Sequence, residues 1–426
     1  MKKYQITFIF FLLHISLCFG LSLEKAKQLA EKNNKELKAT FFEIKRIKHA
    51  YLSAVGRLYP QISLTGKLGS SKYHFPEPVP EDSPSEKKET MLVGKAELTQ
   101  ILFTGGKYLS GVVVAKKAYN ALEKKYELKR QEIIYKTTEL YYQLILAQKS
   151  LEIQMEALEL VKQNLSQTNN MFNQGLVSEY QLLRAKLEKT KIKNNIVEGK
   201  SKVIIAKQAL SNLIGEKDSN PTDSLVAPKI EIFSLDNSIE LGKKNRIELF
   251  LSQINIDIDK KKLEITKKEF IPNFALSASY QKYSTNDRFS VETNNFGDVY
   301  EVGITFHLPL VTGFSKLHNI AGARNKLLTS GIEHESLEQQ IALQIKNAYY
   351  EIKKSEENYT ANKQNVELAD KAYEIAKARY STGISNQLEL FDAQFQKNSA
   401  RLQFENSVYK LTMATIIYKK AIGEKL

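Results

Sequence analysis

Along the first half of this chain the period of apolar positions switches from helical to alternating and back, and the second half repeats those switches in order. Residues 22 to 58 carry a helical stripe that starts at Leu23, Ala26, Leu29 and Ala30 and stops at Tyr59-Pro60. Its counterpart runs from about Ile239 to Ile271-Pro272. After each proline the period drops to two. Ile62, Leu64, Gly66 and Leu68 alternate with Gln61, Ser63, Thr65 and Lys67, and Phe274, Leu276, Ala278 and Tyr280 alternate with Asn273, Ala275, Ser277 and Ser279. Each segment predicts a strand with one apolar and one polar face. Partner strands are expected near residues 91–103 and 299–310, where Tyr300, Val302, Ile304, Phe306 and Leu308 oppose Glu301, Gly303, Thr305 and His307. Between the strands, His74 to Thr90 and Thr285 to Asp298 are polar and predict exposed loops.

A helical period then resumes after Thr104-Gly105-Gly106 and after Thr312-Gly313, and runs to about Phe172 and Tyr380. At 1.5 Å per residue each helix would extend about 100 Å, far beyond a globular helix. Ile133, Leu140, Leu144, Ala147, Leu151, Leu158, Val161 and Leu165 step by threes and fours, with Thr137 and Gln154 at two seam positions. The second seam holds Ile341, Ile345, Ala348, Ile352, Tyr359, Val366, Ala369 and Tyr373. Heptad spacing sustained this long predicts coiled-coil packing over a compact bundle. Each helix ends in a short glycine turn, Asn173 to Ser178 or Ser381 to Asn386, and an antiparallel helix returns to Gly215 or Gly423.

The two halves are copies. Thr104-Gly105 recurs as Thr312-Gly313, Tyr141-Tyr142 as Tyr349-Tyr350, Gly175 as Gly383 and Ile214-Gly215 as Ile422-Gly423, all at one 208-residue offset. The expected organisation is a leader over 1–20, a first repeat over 21–215, a linker over 216–238 and a second repeat over 239–426. Strands of about ten residues with one apolar face suit a transmembrane β-barrel, although a soluble sandwich has the same alternation. Four strands cannot close a barrel alone, because open edges are not viable in hydrocarbon. Membrane insertion would therefore require an oligomer.

Composition adds the address. Lys2 and Lys3 precede an apolar run from Ile6 to Leu17, with Cys18 and Gly20 at minus three and minus one of a cleavage site, so a secretory signal peptide ends near Leu21. The run is shorter than the roughly 20 apolar residues a membrane helix needs. Cys18 either leaves with the signal or is acylated, and Leu17 before it is larger than acylation sites prefer. Loss of Cys18 makes the mature chain cysteine-free, so stability comes from packing and assembly. Net charge is +14, or +12 without Lys2 and Lys3, but the lysines alternate with glutamates as in Lys124-Lys125-Tyr126-Glu127. That pattern reads as a solvated helix face and predicts no nucleic-acid partner.

No catalytic chemistry is evident. Gly105-Gly106 lacks phosphate-loop spacing, Asp257 and Asp259 fall on different sides of a helix, and the six histidines show no metal-site spacing. Neither enzyme activity, metal nor cofactor is expected.

Tyr59-Pro60-Gln61-Ile62, Leu102-Phe103-Thr104-Gly105-Gly106, Phe172-Asn173-Gln174-Gly175-Leu176-Val177 and Arg379-Tyr380-Ser381-Thr382-Gly383, in this order and spacing, resemble the TolC family of outer-membrane export channels. The resemblance covers the mature chain. It implies an α+β membrane protein, a homotrimer whose protomers each give four strands to one twelve-stranded transmembrane β-barrel, and a long periplasmic α-helical coiled-coil barrel. It further implies a passive gated duct of a tripartite efflux pump or type I secretion system, in outer-membrane lipid. Its partners would be a periplasmic adaptor (membrane fusion) protein and an inner-membrane pump of RND or ABC type. Within the resemblance, Glu389 and Asp392 take positions of an acidic periplasmic gate, with glutamate where the family would have aspartate, and Tyr380 that of a tip latch. Gly175, Leu176, Gly383 and Ile384 take adaptor-contacting tip positions. The first tip has Gln181 and Arg184 where the second has Glu389 and Asp392, so an acidic gate belongs to the second copy. Helix-surface acids and plain seam packing are the competing readings at these positions. For the whole chain the competitors are a non-channel periplasmic coiled-coil scaffold or adaptor and a soluble basic helical protein that binds nucleic acid.

Overall fold

A computed structural model describes residues 20–74, 86–216, 220–286, 296–311 and 313–425. Most of the expected signal peptide, including the run from Ile6 to Leu17 and Cys18, lies outside the described residues, as do Thr312 and parts of both inter-strand loops and of the linker. In chain order the elements are α1 (Leu23–Asn33), α2 (Lys35–Gly56), β1 (Gln61–His74), β2 (Glu86–Phe103), α3 (Lys107–Asn173) and α4 (Glu179–Ile214). The second copy follows as α5 (Leu235–Asn245), α6 (Ile247–Lys267), a 3-10 turn (Lys268–Phe270), β3 (Asn273–Asn286), β4 (Gly297–His307), α7 (Ser315–Ser381) and α8 (Gln387–Ala421). Each predicted strand exists; all four extend into the stretches expected to be loops, and β4 stops at His307, short of the expected end near residue 310.

The helix predicted over 22 to 58 is broken, and so is its counterpart. Asn34 is extended at φ −62°, ψ 123°, and its side chain accepts bonds from the Glu36 and Leu37 amides at 2.9 and 3.0 Å, starting α2 afresh. Arg246 is extended in the same way at φ −68°, ψ 120°. Both breaks occupy the same place in the repeat, and apolar periodicity continues across them, which hides them from a pattern reading. The second copy also begins sooner than expected, because Leu235 to Ser238 belong to α5 instead of the linker.

The chain forms two compact units, and neither is one repeat. One unit takes the chain up to Lys38 with Lys129–Asn245 and Ala342–Leu426; the other takes Ala39–Leu128 and Arg246–Ile341.

In the first unit the glycines that end α4 and α8 are required. Gly215 has φ 74° and an added Cβ would lie 3.0 Å from Asn33, whose amide donates to Ile214 O at 2.8 Å. Gly423 has φ 78° and would clash at 2.6 Å with the equivalent Asn245. The linker straps the start of the chain: Leu21 N donates to Asn220 O, and Thr222 N donates to Leu21 O. Buried Tyr141 donates into this strap, with its hydroxyl 2.7 Å from Leu21 O and 2.8 Å from the Asp223 carboxylate. Tyr418, equally buried, meets the Ser238 hydroxyl at 2.7 Å.

The seam of α3 departs from the predicted one. Ile133, Thr137, Leu144 and Val161 are buried as expected, but below Leu144 the deepest positions are Ile153, Ala157, Val161, Asn164 and Thr168, while Leu151, Leu158 and Leu165 are half-buried. A leucine count follows greasiness, whereas burial follows the line facing the neighbouring helix. That line accepts Asn164 and Thr168 because their polar atoms are bonded. On α7 the predicted Ile341, Ile345, Ala348, Ile352 and Tyr373 are buried.

The second unit holds the sheet, ordered β1-β2-β3-β4 and antiparallel throughout. Gly105, at φ 62°, closes the turn from β2 into α3, where a Cβ would meet the Ile271 side chain at 2.8 Å. The Asp257 carboxylate accepts from Lys117 at 2.7 Å, and Asp259, buried, accepts from the Ser330 hydroxyl at 2.6 Å and pairs with Lys262. Both aspartates are structural.

Candidate functional site: the two-faced sheet and the helical tips

Strand register converts four separate alternations into two continuous faces. Residues directly opposite in an antiparallel pair share a face. Ile62 lies opposite Leu98, Leu98 opposite Ala278, and Ala278 opposite Val302; Leu64, Ala96, Tyr280 and Tyr300 form the next row. The other face carries rows such as Ser63, Glu97, Ser279 and Glu301. Apolar side chains on the first face are open to solvent, with Ile62 78%, Leu64 84%, Tyr300 74% and Val302 77% exposed. An apolar wall this exposed calls for an apolar surrounding. Aromatic rings bound it: Phe274 stands 5.2 Å from Phe306 and 6.2 Å from Phe103 at one end, and Tyr280 lies 4.7 Å from Tyr300 toward the other. Such girdles mark the interfaces of a membrane barrel wall. Both outer strands, β1 and β4, keep an unpaired edge within the described residues.

The two tips share one backbone solution. In the first, Gly175 has φ 73°, and Gly175 N and Leu176 N donate to Phe172 O and Met171 O, each at 2.9 Å. In the second, Gly383 has φ 75°, and Gly383 N and Ile384 N donate to Tyr380 O and Arg379 O at 3.1 and 2.9 Å. These are Schellman closures, which need glycine. The apolar side chain after each glycine projects outward, Leu176 being 66% and Ile384 70% exposed.

Side-chain chemistry separates the tips. After the first, Gln181 folds back to accept from Ser178 N at 2.9 Å, completing a capping box. After the second, Asn386 caps α8 by accepting from Glu389 N at 3.0 Å, which frees the Glu389 carboxylate to face Arg379 on the preceding helix at 3.5 Å. Asp392 is exposed and has no ion-pair or hydrogen-bond partner among the described residues. Tyr380 is buried with Tyr373 and Leu390, its hydroxyl 4.0 Å from the Met171 sulfur. Thus the acids and Tyr380 lie on one hairpin end but point into different surroundings.

Sequence reading missed the polar groups behind the tips. Asn164 donates to Gln394 at 2.9 Å and Gln387 donates to the Thr168 hydroxyl at 3.2 Å, all four residues being buried. Further along α8, Lys397 pairs with Asp370 at 3.4 Å and lies 4.5 Å over the Tyr373 ring, while Arg401 reaches both Glu156 and Asp370 at 3.2 Å. Burial pushes the Tyr373 hydroxyl above the usual tyrosine range. The seven-residue spacing of Gln387, Gln394 and Arg401 was the available signal.

The outer membrane efflux protein family model aligns with residues 26–216 and 239–424, most of the described chain. The chain belongs to this family. Outer membrane protein TolC of Escherichia coli (strain K12) is 22% identical over 341 residues, covering 77% of this chain and 68% of that protein. The TolC of Vibrio cholerae serotype O1 is 21% identical over 401 residues, covering 92% and 89%. Among solved structures, the Campylobacter jejuni CmeC outer membrane channel superposes with a TM-score of 0.80 at 20% identity, covering 94% of this chain and 85% of that one. The Neisseria gonorrhoeae MtrE outer membrane channel, in its open state, superposes at 0.77 with 16% identity, covering 95% and 89%. This outer membrane efflux protein thus has the α+β fold expected from sequence and resides in the outer membrane. Family membership replaces the scaffold alternative with a channel, and the family consists of channel proteins, not enzymes.

Proposed function

We propose that this efflux protein works as a homotrimeric passive duct, with three four-stranded sheets closing one twelve-stranded barrel. The supporting observation is a sheet with one exposed apolar face, one polar face and two open edges. Edges in hydrocarbon must be paired, and identical sheets joined β4 to β1 leave none. The polar face then lines a lumen. Energy comes from an inner-membrane pump of RND or ABC type, coupled through a periplasmic adaptor protein that meets the exposed tips at Gly175, Leu176, Gly383 and Ile384. An efflux pump and a type I secretion system would use the same duct.

The second tip is the proposed periplasmic gate. Three copies would gather three Glu389 and three Asp392 around a narrow mouth and favour cations. Their contributions differ, because Arg379 offsets Glu389 while Asp392 is uncompensated. Tyr380 holds the tip by packing its ring against Tyr373 and Leu390.

Purified protein in detergent is expected to be trimeric and to conduct ions in planar bilayers. A monomer without bilayer activity would refute the duct. Asp392→Asn should lower cation preference more than Glu389→Gln, measured as reversal potential in a salt gradient; equal effects would remove the distinction between the two acids.

A further inference from the structure

Internal duplication makes one joint inside the chain a template for a joint between copies. Where the first repeat's strands meet the second's, β2 pairs with β3, and the turn after β2 rests on the junction from α6 to β3. That joint is filled. Cβ atoms added to Gly105 and Gly106 would lie 2.8 Å from the Ile271 side chain and 3.3 Å from the Lys268 ammonium. The 208-residue offset of the turns, and the 212-residue offset that relates Pro60 to Pro272, carry these four positions to Gly313, Phe314, Tyr59 and Gly56. Both halves of this second joint stand open: nothing lies within 4 Å of a Cβ added to Gly313 or Gly56, Phe314 is 75% exposed, and Tyr59 is exposed as well.

The strand ends point the same way. β1 pairs with β2 as far as Gln61 opposite Thr99, and β3 pairs with β4 as far as Asn273 opposite His307, the equivalent pair. Beyond Thr99, β2 continues to Phe103 on β3 alone, with Gln100 opposite Leu276. Beyond His307, β4 has no second neighbour among the described residues and stops, leaving Val311 89% exposed. The residue after the turn glycine adds strain. Phe314 keeps the left-handed backbone of its counterpart Gly106, φ 64° against 77°, and is the sole non-glycine residue of positive φ among the described residues. A bulky side chain adopts that conformation only at a cost, and an exposed ring recovers none of it within one chain. Large and small have also changed sides. Inside the chain Gly106 takes the lysine side chain of Lys268, whereas in the second joint the turn supplies a ring and the helix end supplies Gly56.

We propose that the Phe314 ring of one copy closes over Gly56 and against Tyr59 of the next, and that β4 there continues to Val311 by pairing with the start of β1, Leu308 opposite Leu64. The inference rests on the trimeric reading and adds the residues that meet at its joint. The same register sets Phe306 and Ile304 opposite Gly66 and Leu68, which keeps the apolar face continuous from one copy to the next.

Dilution of the detergent-purified full chain, followed by its mass distribution, tests the joint. Phe314→Gly relieves the backbone and copies the first turn, yet it should raise the monomer fraction about tenfold or more, because a ring buried between copies is lost. Gly56→Lys alone should act likewise by crowding Phe314. Combining the two recreates the Gly106 and Lys268 pair across copies and should return the monomer fraction most of the way to the parent value. Purely additive losses overturn the joint, and so does a trimer indifferent to Phe314→Gly, which would leave lipid as the ring's neighbour. Where a Gly56 variant does not fold, cross-linking decides. The mature chain is expected to lack cysteine, so Leu64→Cys with Leu308→Cys should give interchain products with a short bis-methanethiosulfonate reagent, and the displaced pair Leu68→Cys with Leu308→Cys should not. Trimeric protein without products from the first pair overturns the register while the trimer stands. A monomeric parent refutes the duct, and the joint with it.

Discussion

At the scale of single residues, the tyrosines and turn glycines carry the sharpest consequences. Tyr141 is fully enclosed, and burial first and the bond to Asp223 second push its hydroxyl well above the ordinary tyrosine range. A folded-state value above the unfolded one means that the contribution to stability is fully present below about pH 10, the unfolded tyrosine value, and is lost as pH rises through the folded value. Tyr141→Phe removes the donor from both Leu21 O and Asp223, at a cost of about 1–3 kcal/mol in denaturant unfolding near neutral pH. It should also flatten the fall in stability above about pH 10. The glycines can be ranked. Gly175→Ala costs about 1 kcal/mol for its positive φ alone, because nothing lies within 4 Å of an added Cβ. Gly423→Ala should cost clearly more, since the Cβ would also meet the Asn245 backbone at 2.9 Å; melting temperatures of the two variants test the order.

At the scale of elements, register turns alternation into a wall. The two faces of the sheet predict opposite tolerance to charge. Val302→Arg, on the apolar face, should cost about 2–4 kcal/mol if it lies near the bilayer midplane. Ser279→Arg, on the polar face, should leave folding nearly unchanged. Recovery of each variant in the heat-resistant outer-membrane fraction measures the contrast, and equal recovery would contradict the assignment of faces. Strand identity and parity were legible from residues such as Ile62, Leu64, Val302 and Ile304, because a period of two is local to one segment. The helix breaks at Asn34 and Arg246 were not legible. A capping side chain such as that of Asn34 leaves no trace in apolar periodicity, and at Arg246 the extended backbone carries no side-chain cap to betray it.

At the scale of the whole molecule, the compact units do not follow the repeats. Each unit takes material from both copies, so neither unit is built from one copy alone. Expression of residues 235–426 alone should therefore give an unstructured or aggregated product, whereas co-expression with 21–234 should restore a protease-resistant complex. A stable, soluble second copy by itself would show that the repeats are domains after all. Oligomer formation belongs to this scale too, since the free edges of β1 and β4 are a property of the sheet and of no single residue.

Sequence by itself determined the duplication, the strand and helix order, the glycine tips and the family, because these rest on local period, on the positive φ that glycine takes without steric cost and on one shared offset. Only the tertiary structure decided which polar residues matter. Asn164, Thr168, Gln387 and Gln394 are ordinary amides and hydroxyls until α3 and α8 meet, and their value lies wholly in bonding across helices more than two hundred residues apart. Glu389 and Asp392 are likewise equal acids in sequence. The fold makes them unequal by bringing Arg379 across the tip to one and leaving the other open, since a carboxylate's charge is offset by what stands within a few ångströms of it and not by its neighbours along the chain.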